Sequence, residues 1–208
     1  MSPSLAEPSP RPRQRVPRHV RERQMLDAAV AVFSERGFHL ASMDEIAEAA
    51  GVSKPMIYTY LGAKNDLFTA CIRREAQRLM ELITTAVPRG VATPERLHRG
   101  LLAFFAFVTE HRDGWIVLYR QARVREPFAG EIAVAREQII MVVAGLLARS
   151  SCDEAQARTL PIAHALVGAA EALSDWALDH PEETPDALTT RLMDIFWTGL
   201  KRSGGESV

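Results

Sequence analysis

The chain has 208 residues, 47% hydrophobic and 25% charged, with 25 Lys and Arg against 26 Asp and Glu. That composition supports a buried core in one or two small domains, and a net charge of -1 excludes a uniformly basic nucleic-acid binder. The longest apolar run, Ile139 to Ala148, is too short for a bilayer span, the N-terminus lacks a signal-peptide core, and Cys71 and Cys152 have no CxxC or metal spacing, so a reduced, cytoplasmic protein is expected.

Residues 1–18 hold five of the twelve prolines and are expected to form a disordered basic arm. A first helix follows from about Val20 to Arg36, with Met25, Ala28, Ala29, Val32 and Phe33 on one stripe and Gly37 as its stop. Ser42-x-x-Glu45 is a capping box. The short helix it opens turns Met43, Ile46, Ala47 and Ala50 inward and ends at Gly51. Ser53 is expected to cap a third helix with Pro55 in its first turn, and Gly62 closes it. A fourth helix spans about Lys64 to Val87, and Pro88 and Gly90 mark a joint. Thr93-Pro94-Glu95 reads as cap, first-turn proline and first-turn acid, opening a helix to about Glu110. Further helices are predicted over Trp115 to Val124, before a break at Pro127, and over Phe128 to Arg149. Ser151-x-x-Glu154 is a second capping box, opening a helical stretch to about His180. Within it Pro161 is either a kink or the first turn of a shorter helix. Pro181 and Pro185 bracket a loop before a last helix to about Arg202. With no period-two strand, the fold class is all-α, about nine helices, the first three short.

Charge is unevenly spread. Residues 1–90 carry 13 basic and 10 acidic residues, and residues 91–208 carry 12 and 16. Arg11, Arg13, Arg15, Arg18, Arg21 and Arg23 concentrate the basic excess, opposed locally only by Glu22. One half is suited to an anion and the other is not. The two short helices joined through Gly51-Val52-Ser53 fit a helix-turn-helix. Ile57 and Leu61, four apart, bury one face of the second helix, leaving Lys54, Pro55, Met56, Tyr58, Thr59 and Tyr60 on or near the other. Phenolic hydroxyls suit phosphate, and Thr and Met can touch a thymine methyl. The amides that open the helix at Lys64 can also hold a phosphate.

Residues 24–68 resemble the DNA-binding domain of the TetR family of bacterial transcriptional regulators. The matching residues are Ala28-Ala29, Phe33, Gly37-Phe38, Ser42 to Ala47, Ala50 to Lys54, Ile57 to Leu61, Lys64 and Leu67. Leu61 stands where Phe is usual, and Gly62 where Pro, Ser or Gly is often seen. The resemblance implies a three-helix helix-turn-helix reading head over residues 19–66 and a helical effector-binding and dimerisation domain over 67–203. It implies base-edge contacts from Lys54, Pro55, Met56 and Thr59, and phosphate contacts from Ser42, Tyr58, Tyr60 and Lys64. Either tyrosine can instead pack the helix down. Ser42 and Ser53 either cap only or also meet DNA. The basic arm either enters a minor groove or stays solvated.

Beyond Pro88 the residues must carry the reading. Phe104, Phe105, Phe107, Val108, Trp115, Leu118 and Tyr119, with Ile139, Met141, Val142, Val143, Leu146 and Leu147, form either a packed core or the walls of an apolar effector pocket. Tyr119, Gln138 and His164 are candidate orienting groups for an effector, and Trp176 joins the candidate list. A single histidine on an apolar helix can also be a core residue. Stretches near Arg136, Glu171 and Trp176 look like family members proposed to sense hydrophobic or acyl ligands. Gly168, Ala169 and Ala172 permit close helix approach, and Leu188, Leu192, Ile195, Phe196, Gly199 and Leu200 make an apolar face. Together they are expected to form a four-helix homodimer interface, the alternative being intramolecular packing. No catalytic residue, metal or cofactor is implied: the one Glu-x-x-His, Glu95 to His98, sits at a helix start, and no G-x-S-x-G, phosphate loop or HExxH occurs. The expected function is a dimeric regulator, most simply a repressor, leaving a palindromic DNA operator when an apolar effector binds. The competing classes are a helical adaptor and a cofactor-binding bundle without specific DNA binding.

Overall fold

The computed structural model describes residues 17–88, 90–121, 128–148 and 153–203, and within them every regular element is helical. The elements are α1 (Arg18–Leu40), α2 (Met43–Ala49), α3 (Lys54–Leu61), α4 (Lys64–Ala86), α5 (Thr93–Glu110), α6 (Arg112–Ile116) with a π-helical turn (Val117–Gln121), α7 (Ala129–Leu147), α8 (Asp153–Ala177) and α9 (Pro185–Ser203). No helix among the described residues is long and apolar enough to cross a membrane.

The first three helices close around Met25, Ala29, Phe33, Ile46, Ala47 and Ile57, each at most 5% exposed. Leu67 and Phe68 at the start of α4 complete this core, while Leu79 and Ile83 further along α4 belong to the body. The domain division expected at 66/67 therefore falls inside one continuous helix. The body packs α5 against α4, α7 and α9, and α7 against α8. Leu97, Phe105 and Phe107 of α5 and Ile140 and Ala144 of α7 are each at most 1% exposed.

Several local expectations change. α1 begins at Arg18, so Arg18 lies on the helix that also carries Arg21 and Arg23, and not on the arm. Arg18 is held there by its guanidinium, 5.2 Å from the centre of the Tyr60 ring. Arg11, Arg13 and Arg15 lie outside the described residues. The helical path of α1 breaks at Gly37 (φ 75°, ψ 159°), where the stop was predicted. Ser53 precedes α3 without a side-chain cap hydrogen bond, because Pro55 removes one of the two amides such a cap would serve. Ala92, not Thr93, is the cap position of α5, and Thr93 Oγ1 accepts from Arg96 Nη2 at 3.0 Å instead. The helix predicted over Trp115 to Val124 is the shorter α6 and its π-helical turn. Pro127 and the Ser151 capping box lie outside the described residues. Pro161 sits inside α8, so a single long helix replaces the short-helix alternative.

Gly62 is the C-cap of α3, closing that helix as predicted. It has φ 76°, a region proline cannot reach and serine rarely adopts. A Cβ built there would stand 2.6 Å from Asp66 Oδ2, the oxygen that accepts from the Ala63 amide at 2.9 Å. The Pro or Ser often seen at this place in the family is thus not interchangeable here. Gly62→Ala should destabilise the chain by about 2 kcal/mol, read by chemical denaturation, by adding left-handed strain to loss of the cap that starts α4.

Candidate nucleic-acid interface and effector cavity

The helix-turn-helix is fixed by its backbone. α2 starts on the predicted capping box: Glu45 N–H donates to Ser42 Oγ at 3.1 Å, and Ser42 N–H donates to Glu45 Oε2 at 2.9 Å. It ends in a Schellman turn. Val52 N–H donates to Ala47 O and Gly51 N–H to Glu48 O, both at 3.0 Å, with Gly51 at φ 63°. This turn sets the angle at which α3 leaves α2, and Ile57 and Leu61 then bury the inner face of α3.

The outer face divides in two. Ser53, Lys54, Pro55, Tyr58 and Thr59 are exposed, Tyr58 at 46%. Met56 and Tyr60 are partly buried against the core, a correction to their placement on the free face, since the ring of Tyr60 also lies under Arg18. Lys54 Nζ lies 2.9 Å from Asp44 Oδ2, and this hydrogen bond, then Asp44's charge, raises the lysine pKa. Sequence reasoning missed Asp44, because the pairing crosses from α2 to α3. Thr59 Oγ1 donates to Pro55 O at 2.8 Å, leaving its methyl group and acceptor lone pairs for a partner. Lys64 is half committed: its Nζ donates to His39 O at 3.1 Å and stands 4.8 Å from the centre of the Phe38 ring.

Ser42's N–H and then its hydroxyl lower the pKa of Glu45, with Arg36 and Lys64 adding to the effect. A depressed folded pKa stabilises the fold fully above the unfolded glutamate value of about 4.3, and that stability is lost as pH falls through the depressed value. Wild type and Glu45→Gln should therefore differ in stability at pH 7 and converge under acid, as followed by circular dichroism from pH 7 to 3.

In the body, two narrow cavities run between the helices. The first has about 410 Å³ of atom-free space, part of it open to solvent, and is lined by Ile83 of α4, Leu97, Gly100, Leu101 and Phe104 of α5, Ile139, Val143 and Leu146 of α7, and Leu166, Val167 and Ala170 of α8. The second, about 390 Å³ by the same measure, is lined by Ala76, Leu79, Trp115, Leu118, Tyr119, Ile132, Ala135, Arg136, Ile139 and Glu171. Of the predicted effector residues, Phe104 lines the first and Trp115, Leu118 and Tyr119 the second. Phe105 and Val108 are core residues that line neither, and Met141, His164 and Trp176 are exposed. Gln138 faces a separate groove beside Arg73 and Glu131. These six departures share one cause: helical phase relative to a neighbour decides which side of an apolar helix meets a cavity. The stretches holding Arg136 and Glu171 were singled out, but not the pairing of these two side chains at 2.9 Å.

Phe128, just before α7, is 2% exposed and lies in the core of the reading head. Its ring stands 4.7 Å from Phe68 and 5.0 Å from Phe38, and Phe33 completes the cluster 4.8 Å from Phe68. Arg73 of α4 and Glu131 of α7 add a two-pronged ion pair, at 2.9 and 2.6 Å. Each holds the other's charge, raising the Arg73 pKa and lowering that of Glu131.

Residues 25–71 match the family model described as bacterial regulatory proteins, tetR family, and residues 93–199 match the tetracyclin repressor-like C-terminal domain. The chain belongs to the TetR family. It is 33% identical over 188 residues to the HTH-type transcriptional activator FasR of Mycolicibacterium smegmatis, covering 89% of this chain and 85% of that protein. A TetR-like transcriptional regulator from Rhodococcus sp. RHA1 superposes with a TM-score of 0.77 at 46% identity, over 91% of this chain and all of that one. A TetR-family regulator from Streptomyces coelicolor gives 0.73 at 26% identity, over 91% and 84%. TetR-family proteins are transcriptional regulators that bind DNA and small-molecule effectors as dimers. In this TetR-family chain the expected dimer face is split. Leu188 and Leu192 are buried in the body at 2% and 3% exposure, because α9 packs on α5, whereas Ala172 and Ile195 are exposed. Ala169 and Phe196 are partly buried, and the side chain of Leu200 lies outside the description. Cys71 is buried with its thiol pKa pushed up to about 12 by that burial, so it is protonated and unreactive at neutral pH.

Proposed function

We infer that this TetR-family regulator acts in the cytoplasm as a homodimer on a palindromic operator, and that an apolar effector of acyl type entering the body releases it. One observation carries the coupling: α4 and α7 each reach from the cavities to the reading head. α4 supplies Ile83 and Leu79 to the cavity walls and Leu67 and Phe68 to the head. α7 supplies Ile139 to both cavities, and Phe128 at its start reaches the head's aromatic cluster. A molecule that parts α7 from α5 thereby moves the support of α3. It shifts the equilibrium only by its preference for the state that cannot dock two heads on DNA.

The effector is read as apolar from the first cavity, which offers no polar side chain. The dimer face is read on the outer sides of α8 and α9, around Ala172, Trp176 and Ile195. The two heads would then address half-sites about 34–36 Å apart, or a multiple of that spacing. Occupancy can repress or activate according to where the operator lies, and the FasR relative is an activator. Selection of bound DNA from a random pool by the full-length protein tests the reading. A recovered palindrome supports it. Recovery of no motif, with only steeply salt-dependent binding, would favour an adaptor without sequence-specific DNA binding.

A further inference from the structure

Lys54 opens α3, and the N-terminal residues of the second helix of a helix-turn-helix are the ones that reach base edges. Its ammonium is not free on that face. Nζ donates to Asp44 Oδ2 at 2.9 Å, a contact that crosses from the first turn of α2 to the first turn of α3. Both side chains stay wet, at 43% exposure for Lys54 and 73% for Asp44. A pair this exposed adds little to stability. Nor does Asp44 serve the cap of α2, whose two hydrogen bonds run between Ser42 and Glu45. An acid in the first turn favours the positive end of a helix, and Glu45 already supplies one. A carboxylate thus stands beside the reading helix, on a surface expected to meet phosphates, where its own charge opposes docking.

We propose that Asp44 is a specificity-determining residue: it holds the Lys54 ammonium toward a base edge in the major groove and away from the DNA backbone, so that the lysine reads sequence and not charge. The inference rests on the reading of the chain as an operator-binding regulator, and adds to it where discrimination arises. An untethered lysine is a flexible, hydrated point charge that gains most from the nearest phosphate. With Asp44 at 2.9 Å the pair carries no net charge, and a phosphate approaching Lys54 meets the carboxylate as well. A guanine O6 or N7 is an uncharged acceptor that escapes this repulsion, and it can take a hydrogen that Asp44 leaves. Where the base presents a donor instead, the ammonium has no partner in the groove and stays on Asp44. The carboxylate therefore lowers affinity for wrong sequences more than for the operator.

Binding of full-length wild type, Asp44→Asn, Lys54→Met and the double variant to the selected operator and to random duplex of equal length, over a range of salt, tests this. Asparagine keeps the shape and removes the charge. Asp44→Asn should raise affinity for random DNA about fivefold and for the operator less than about twofold. Its salt slope on random DNA should steepen by about one as Lys54 turns to phosphate. Selection from a random pool with Asp44→Asn should return the operator with preference relaxed at one position per half-site, the position that Lys54→Met also relaxes. Adding Asp44→Asn to Lys54→Met should change that position no further, because the aspartate acts through the lysine. An unchanged ratio of operator to random affinity, or no relaxed position shared with Lys54→Met, overturns the assignment and leaves the operator reading standing. Equal losses of affinity on both DNAs, with a lowered Tm, reduce Asp44 to a residue that only steadies α2 and overturn it too. Recovery of no operator by the wild type overturns the regulator reading, and the assignment with it.

Discussion

Replacing Phe128 by Ala is expected to destabilise the chain by about 3–4 kcal/mol, a fall in Tm of roughly 10 °C. It should also weaken operator binding at temperatures where the variant is fully folded. The ring is 2% exposed and sits against Phe68 and Phe38. Its loss leaves a cavity at the point where α7 meets the reading head, beneath the Phe38 ring that Lys64 faces. Phe128→Leu keeps most of the volume and should cost only about 1 kcal/mol. Calorimetry gives the stabilities, and amide hydrogen exchange over α1 to α3 shows whether the head loosens locally. If Phe128→Ala leaves head protection and operator affinity unchanged, the ring only fills space and the proposed coupling through α7 fails.

Lys54→Met should lower affinity for the selected operator at least tenfold, as expected for one lost base-edge or phosphate contact worth about 1–3 kcal/mol. The effect on stability should be small, because the Lys54–Asp44 pair lies on the surface. If Lys54 meets phosphate, the slope of log affinity against log salt falls by about one; if it reads a base edge, specificity relaxes at one operator position. Tyr58→Phe, at a position 46% exposed, isolates the phenolic hydroxyl and should cost a few-fold in affinity and nothing in stability. Lys64→Ala is a less clean probe. Its ammonium already holds His39 O and faces Phe38, so its removal should lower head stability as well as affinity. Unchanged operator binding by both Lys54→Met and Tyr58→Phe would remove α3 from the interface.

The reading head was largely legible in the sequence because its determinants are local. A capping box needs a serine and a glutamate three apart, and Ser42 and Glu45 form one. A left-handed turn needs glycine, and Gly37 and Gly51 stand at positive φ where breaks were predicted. Four-residue spacing placed Ile57 and Leu61 on one buried face without any knowledge of their partners. The same logic reached the body's helices but not their sides. Leu188 and Leu192 have the apolar spacing of an interface, and only the docking of α9 on α5 puts them inside one chain. His164 and Met141 read as candidates for lining a pocket, yet the orientation of α7 and α8 turns both outward.

Sequence alone therefore determined the helix-turn-helix, its Ser42–Glu45 capping box and turn glycines, the all-helical body and the family, since each rests on spacings within one or two turns of chain. Tertiary structure decided which apolar residues line a cavity and which fill the core. It also decided that Arg18 belongs to a helix, that Lys54 answers to Asp44, and that Phe128 lies in the head. The physical reason is range. Caps, turns and amphipathic stripes are energies of neighbours along the chain, whereas a cavity or an ion pair such as Arg136 with Glu171, 35 residues apart, exists only once separate helices have set their mutual rotation and depth.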